Sequence, residues 1–435
     1  MSPGASVKRL FENPVQASRS PRPHKFSMGI FLSSIPDFNL RSNIRHLCWD
    51  IFWYGVTAGS VTAFLSVYAA RLGATSLQIG LLTAAPAIMS LIVSLPAGRW
   101  LERHSLVRVT FYGAMAQRAG YPVIMILPWL FPASGQIWAL ELIILLMSVP
   151  GALLMISFNS MFVKVIPPDQ RAQVVGWRNA LLAISVTVTS LLCGRLLDWI
   201  AFPLNYQIVF GLGMLGAALS TWHLGHIRAP KVLAQPGHRS PCEVRPCNNP
   251  LLRFDLLRGP FGPLLATYLL FYAVQYLPVP IFPLAYVREL RLPDGVISLG
   301  NALFYVAMFL VSLRLERISG RMGHRRVLML GVLLYALQPL LVGLAQEATL
   351  FWLALAAGGG AWALAGAGLT NRLMERVPPD DLPAHMALHN IVLNLGILMG
   401  SFTGPVLGNE FGLRPALLLG AGLWFVSGIL LGLWS

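Results

Sequence analysis

Lys164-Val165-Ile166-Pro167-Pro168-Asp169 closes one long apolar segment and opens another, and Glu375-Arg376-Val377-Pro378-Pro379-Asp380 does the same further along. The two stretches lie 211 residues apart (378 − 167), about half the chain. Asn179 and Asn390 then stand at one common offset beyond the two aspartates, with Arg178 and His389 beside them. A period this long exceeds the ~20 to 50 residues of a solenoid repeat and implies two fused copies of one helical bundle. Function is expected where the copies meet.

Hydrophobic residues make up 56% of the 435 and charged residues 11%, against roughly 25% charged in an ordinary soluble domain. So little charge cannot cover a surface in water. Apolar spans recur near 46–70, 76–100, 105–129, 136–164, 173–198 and 204–226, then 260–288, 295–315, 325–346, 349–375, 383–408 and 413–434. Each is long enough to cross the ~30 Å hydrocarbon core as a helix, and nothing alternates as the strands of a membrane barrel would. The fold class is therefore an all-α polytopic membrane protein of about twelve helices in two pseudo-symmetric six-helix bundles, 46–226 and 259–435. A basic tail over 1–45, expected to be disordered, precedes them, and a Pro-rich basic linker over 227–258 joins them. The start of the tail lacks an apolar core of signal-peptide length.

The formal charge is +15, which in a soluble chain would point to nucleic acid. Here placement decides. All 32 Lys and Arg residues except Arg71, Arg118, Arg195, Arg288, Arg291 and Arg414 fall in the tail, the linker or the loops on that same side. By the positive-inside rule that side is cytoplasmic and so are both termini, with attraction to anionic lipid as a further consequence. No nucleic-acid partner is expected. Cys48 and Cys193 fall in spans as small buried hydrophobes. Cys242 and Cys247 lie in the linker without a matching ligand pair, so neither a metal nor a cofactor is expected.

Gly98-Arg99-Trp100-Leu101-Glu102-Arg103-His104-Ser105 and Arg108 lie between the second and third spans, and Gly320-Arg321-Met322-Gly323-His324-Arg325-Arg326 between the eighth and ninth. Arg103 corresponds to Arg321, at almost the spacing that separates the two Pro-Pro-Asp stretches. The pattern resembles the loop signature of the major facilitator superfamily, in which glycine, three residues, Asp-Arg, one residue and a second glycine precede basic residues. The resemblance extends over about residues 46–434. It implies two six-helix bundles that rock about a central cavity, and a loop latch favouring the outward-open state, here Gly98, Glu102, Arg103 and Arg108 with Arg321, Gly323, Arg325 and Arg326. The first copy departs from the pattern with Glu102 and Ser105, and the second has Gly320 at the acid position. A role limited to topology is the competing reading of these arginines.

Ionisable residues inside spans are costly and few, and each is a functional candidate. Asp50 in the first span and Glu141 in the fourth are the candidate coupling carboxylates, because proton coupling needs a carboxylate that titrates during the cycle. The resemblance places the first, fourth, seventh and tenth helices around the cavity. Arg118 in the third span is read as a structural ion-pair partner. Trp53 and Thr57 of the first span, Tyr268, Tyr272 and Gln275 of the seventh, and Trp362 of the tenth form a candidate aromatic cavity suited to an organic, amphipathic solute. Prolines at 278, 280 and 283 are expected to bend the seventh helix beside it.

Arg178, Asn179, His389 and Asn390 are candidates for a cytoplasmic gate, with symmetric packing as the simpler alternative. Pro-Pro-Asp itself reads as a helix stop followed by a cap. Gly396, Gly400, Gly404 and Gly408 leave one face of the eleventh span bare for close helix packing. Antiporters of the superfamily carry such a face on the fifth helix instead.

The functional expectation is a secondary active transporter, not an enzyme, moving a small organic solute by alternating access, with proton-coupled efflux as the working form. The alternatives are a sensor on the same fold, a uniporter without proton coupling and, least favoured, an intramembrane transferase, for which His385 and His389 with Asp380 and Asp381 make a poor catalytic set. The expected setting is a monomer in a prokaryotic plasma membrane, with lipid, solute and protons as its partners.

Overall fold

The computed structural model describes residues 35, 37–228, 254–259, 261–377 and 382–434. Most of the basic tail, most of the linker, Cys242, Cys247 and the second Pro-Pro-Asp stretch lie outside the described residues, as do the surroundings of Gly98 and the side chain of Glu102. Among the described residues there are helices and no strand.

The first half contains α1 Phe38–Arg71, α2 Ser76–Glu102, α3 Leu106–Arg118 with Gly120–Leu130, α4 Ala133–Val165, α5 Pro168–Trp199 and α6 Leu204–Gly225. The second contains α7 Phe261–Glu289, α8 Asp294–Ser312, α9 His324–Leu344, α10 Ala348–Arg376, α11 Leu382–Phe411 and α12 Leu413–Trp434. Eleven of these are long and apolar enough to cross a membrane, and the two parts of α3 make the twelfth crossing.

Local chemistry sets the ends. The Asp37 carboxylate accepts from the N–H groups of Asn39 and Leu40, so α1 starts at Phe38 rather than near residue 46. Thr75 and Gln78 form a reciprocal capping box that starts α2. Pro168 and Asp169 occupy the first turn of α5, where a missing N–H costs nothing and a negative charge meets the positive end of the helix. Gly323 precedes α9 at φ 77°, a backbone that only glycine adopts without strain. The helices α3 and α9 are interrupted at Ala119 and Ala336, again about half the chain apart, so the duplication extends to their breaks. The α7 helix turns sharply between Tyr276 and Ile281, through Pro278 and Pro280, and then continues into a π-helical end over Ala285–Glu289.

Within each half, α1 packs on α5 and α6, α4 on α2 and α3, α7 on α11 and α12, and α10 on α8 and α9. The halves meet through α2 against α11 and α5 against α8. The bare face of α11 does what its pattern predicts: a Cβ on Gly396, Gly400 or Gly404 would strike Tyr272, Ala273 or Leu277 of α7.

The apolar cores show how the halves sit. Near the end carrying residues 72–75, 200–203 and 290–293, here the outer end by the expected topology, Leu284 of α7 joins a core to which all six helices of the first half contribute. Val67 of α1 in turn joins a core of the second half. At the opposite end the cores are separate, one drawn from Ile35 to Ile227 and the other from Phe261 to Leu431.

Candidate functional site

The outer end is sealed by polar contacts between the halves. Arg71, at the end of α1, donates to an Asp294 carboxylate oxygen at 2.9 Å and to the carbonyl of Leu292 at 2.7 Å. Arg288, at the end of α7, donates to the carbonyl of Ala74 at 2.6 Å. The Asp198 carboxylate accepts the N–H of Gly295 at 3.0 Å, covering the first turn of α8, and leaves no room for a side chain there.

Closer to the middle, α5 and α8 approach with only small side chains between them. The Ser298 hydroxyl donates to the Ser190 carbonyl at 2.6 Å, and a Cβ on Gly194 would come within 2.3 Å of Ser298. The second contact, α2 against α11, repeats the first: a Cβ on Gly80 would lie 2.4 Å from the Ser401 carbonyl and 2.8 Å from Pro405. The offset between the two Pro-Pro-Asp stretches maps Ser190 and Gly194 onto Ser401 and Pro405, and the offset from Arg103 to Arg321 maps Gly80 onto Ser298. Arg71 and Arg288 stand at the same separation as the breaks at Ala119 and Ala336. The seal is therefore two-fold, with each half supplying an arginine, a small residue and a serine.

Inside the first half, Asp50 of α1 is 4% exposed and already occupied. One carboxylate oxygen accepts from Ser220 of α6 at 2.5 Å and the other lies 3.3 Å from the Arg178 guanidinium of α5. Arg178 also donates to the Leu47 carbonyl and lies over the Phe158 ring at 4.9 Å. A candidate coupling group and a candidate gate group are thus one buried ion pair. Arg118, where the first segment of α3 ends, does not contact Asp50 directly. It donates to Thr221 at 2.6 Å and to the Ala217 carbonyl at 3.2 Å. Glu141 is 6% exposed, and neither carboxylate oxygen has a hydrogen-bond partner among the described residues.

Tyr54 of α1 lies deep within the fold and is nevertheless 39% exposed, so it lines an internal space. Tyr276, Tyr305 and Tyr335 are also deep and only partly buried. Tyr54 and Tyr305, from opposite halves, are electrostatic neighbours, as are Tyr335 and Tyr276. Trp362 is half-buried and packs on Tyr335 with ring centroids 5.5 Å apart. The remaining candidates are more deeply packed or bonded to neighbouring helices. Thr57 is buried and donates to the Gly213 carbonyl between α1 and α6. Tyr268 is fully buried and donates to the Leu369 carbonyl. Tyr272 bonds the His389 ring at 3.0 Å, Gln275 is 6% exposed with its side-chain oxygen unpaired, and Trp53 is half-buried with its carbonyl against Gly216.

At the opposite end Arg103, Arg108, Arg321 and Arg326 are exposed. Arg325 donates to the carbonyls of Gly432 and Leu433, capping the end of α12 in its own half. Asn179 is exposed, and Asn390 accepts from Asn394 one turn along α11. No group of three or more His, Cys, Asp or Glu among the described residues could hold a metal, and Cys48 and Cys193 are free and buried.

Twelve crossings in duplicated halves, packed together at one end and separate at the other, have the architecture of a membrane transporter. The family model described as Major Facilitator Superfamily matches residues 51–262 and 264–435, and the chain belongs to that family. It resembles solved transporters in fold. A bacterial homologue of the iron transporter ferroportin in an inward-facing state is 14% identical, over 90% of this chain and 98% of that one, at TM-score 0.70. The xylose transporter XylE from E. coli is 13% identical, over 90% and 97%, at TM-score 0.67. The nucleoside transporter NupG is 14% identical, over 91% and 99%, at TM-score 0.65. No curated protein matches the sequence closely enough to count as a relative.

Several residues of this site were not singled out by the sequence as functional. Arg71 and Arg288 stand only among the arginines that fall outside the basic side, and no motif marks Asp198. The signal was the repeat itself: applied to those leftover arginines, the half-chain offset pairs Arg71 with Arg288.

Proposed function

We propose that this chain is a secondary transporter that carries a small organic solute by alternating access, in the state closed outside and open to the cytoplasm. The carrying observation is the two-fold seal of Arg71, Asp294, Arg288 and the α2–α11 and α5–α8 contacts at one end, opposite separate cores at the other. Such a seal must break for the halves to rock the other way. The exposed Arg103 and Arg108 fit a latch that is released in this state and engages, with Glu102, when the cytoplasmic end closes. The setting we propose is a prokaryotic plasma membrane, with a monomer and both termini inside.

Proton coupling through Glu141 is the form we favour, supported by two buried carboxylate oxygens without a partner. Asp50, tied to Arg178 and Ser220, is a second candidate whose pair would have to open during the cycle. Export is the proposed direction, supported by the tyrosine and tryptophan lining, which suits amphipathic solutes. The test is flux of metabolites and drugs in proteoliposomes with and without a pH gradient. Gradient-driven flux that Glu141→Gln abolishes supports the proposal. Flux indifferent to the gradient removes the coupling and leaves a uniporter, and a chain that moves no member of the panel removes the transport reading.

A further inference from the structure

We propose that the cargo carries a negative charge, and that Arg118 with the hydroxyl of Tyr54 forms the subsite that takes its carboxylate or similar anionic group. This rests on the transporter reading above and names the substrate class of its cavity.

Two guanidiniums, Arg118 and Arg178, are each 9% exposed in the middle of the first half, and both lie near a single carboxylate, Asp50. Asp50 is saturated by Arg178 and Ser220. Arg118 therefore brings one positive charge that its surroundings do not cancel. Its electrostatic neighbours are Asp50, Tyr54 and Tyr121, and Glu141 is not among them. An uncompensated guanidinium inside a membrane protein is costly, and such groups mark substrate or ion pathways.

The hydrogen bonding of Arg118 agrees with this excess of charge. Arg118 uses one terminal nitrogen for both its acceptors, the Ala217 carbonyl and the Thr221 hydroxyl. Among the described residues its other terminal nitrogen and its Nε meet no acceptor. Guanidinium donors in a planar fork match a carboxylate. Access comes through Tyr54, which is both a neighbour of Arg118 and an exposed wall of the internal space, and whose hydroxyl has no partner among the described residues. The two acceptors of Arg118, the Ala217 carbonyl and the Thr221 hydroxyl, are neutral and supply no full counter-charge. The aromatic walls contributed by Tyr276, Tyr305, Tyr335 and Trp362 complete a site for an organic, ring-bearing anion.

The test uses purified full-length protein and matched probes that differ only in charge: benzoate against benzamide, and indole-3-acetate against indole-3-acetamide, read by thermal shift and calorimetry. The expected result is a stabilising shift from at least one carboxylate and none from its amide. Arg118→Gln should weaken carboxylate binding at least about tenfold, the loss of a charge-assisted hydrogen bond, and Arg118→Lys should fall between. Equal binding of acid and amide by the wild type overturns the proposal whether or not the variants fold. So does unchanged binding by Arg118→Gln, or no carboxylate binding at all. Flux of the bound carboxylate in proteoliposomes is scored separately. A carboxylate that binds through Arg118 and is never transported would sink the transporter reading and leave this subsite standing.

Discussion

Removing Arg71 should unbalance the two ends of the protein, and the size of the effect follows from its partners. Its ion pair with Asp294 joins side chains that are 27% and 10% exposed. Discounted for that exposure, such a pair contributes about 0.5 kcal/mol. The charged donation to the Leu292 carbonyl at 2.7 Å adds about 1.5 kcal/mol. Arg71→Ala should therefore favour the outward-open state by about 2 kcal/mol, roughly 30-fold. A population that was ~1% outward-open would become about a quarter. The assay is labelling of Val67→Cys in a cysteine-free background by a membrane-impermeant maleimide, because Val67 is 3% exposed and buried in a core of the second half. Labelling should accelerate about 25-fold, in proportion to the shifted population. Asp294→Ala should give a smaller acceleration, and the double variant less than the sum of the two, because both remove one pair. An unchanged rate in Arg71→Ala would refute the seal.

Other outcomes follow from the same contacts. Gly80→Val and Gly194→Val place a side chain where 2.4 Å and 2.3 Å separate a bare Cβ from Ser401 and Ser298, so both should prevent outer closure and trap the outward-open state, visible in the same labelling assay. Asp50→Asn leaves the buried Arg178 guanidinium without its carboxylate and should cost about 3 to 5 kcal/mol of stability, measured as a lower Tm and recovery in detergent. Replacing both partners, Asp50→Asn with Arg178→Met, should recover part of that loss; a double variant no better than the single one would contradict the pairing. Glu141→Gln should keep the fold and ligand-induced thermal shifts while losing pH-gradient-driven flux, and retained coupling would dismiss Glu141 from that role.

The membrane architecture was legible because a transmembrane helix is written locally: an apolar run and a proline stop suffice, and Pro167-Pro168-Asp169 supplies the stop, with Asp169 in the first turn of α5 rather than at its cap. Duplication was legible for the same reason, since it preserves spacing. The start of α1 was hidden because Arg41 and Arg45 dilute its first turns, and only the Asp37 cap marks the boundary. Side-chain destinations were harder to read. Thr57 and Tyr268 shared helical faces with cavity residues, yet their hydroxyls turn to carbonyls of neighbouring helices, because a buried donor must find an acceptor. The pairing of Asp50 with Arg178 joins positions 128 residues apart, and no local pattern announces it. Tyr54 and Tyr305 became visible only once the two halves were placed face to face.

The central claim is that the two ends open in alternation. Spin labels at the exposed positions Leu204 and Phe411 report the outer end, and labels at Val175 and Met374 report the inner end, from opposite halves in both cases. Double electron–electron resonance in lipid nanodiscs should find two distance populations at each end, with the outer pair lengthening whenever the inner pair shortens as Arg71→Ala or Gly80→Val is introduced. A single distance at both ends, unchanged by either substitution, would contradict the account.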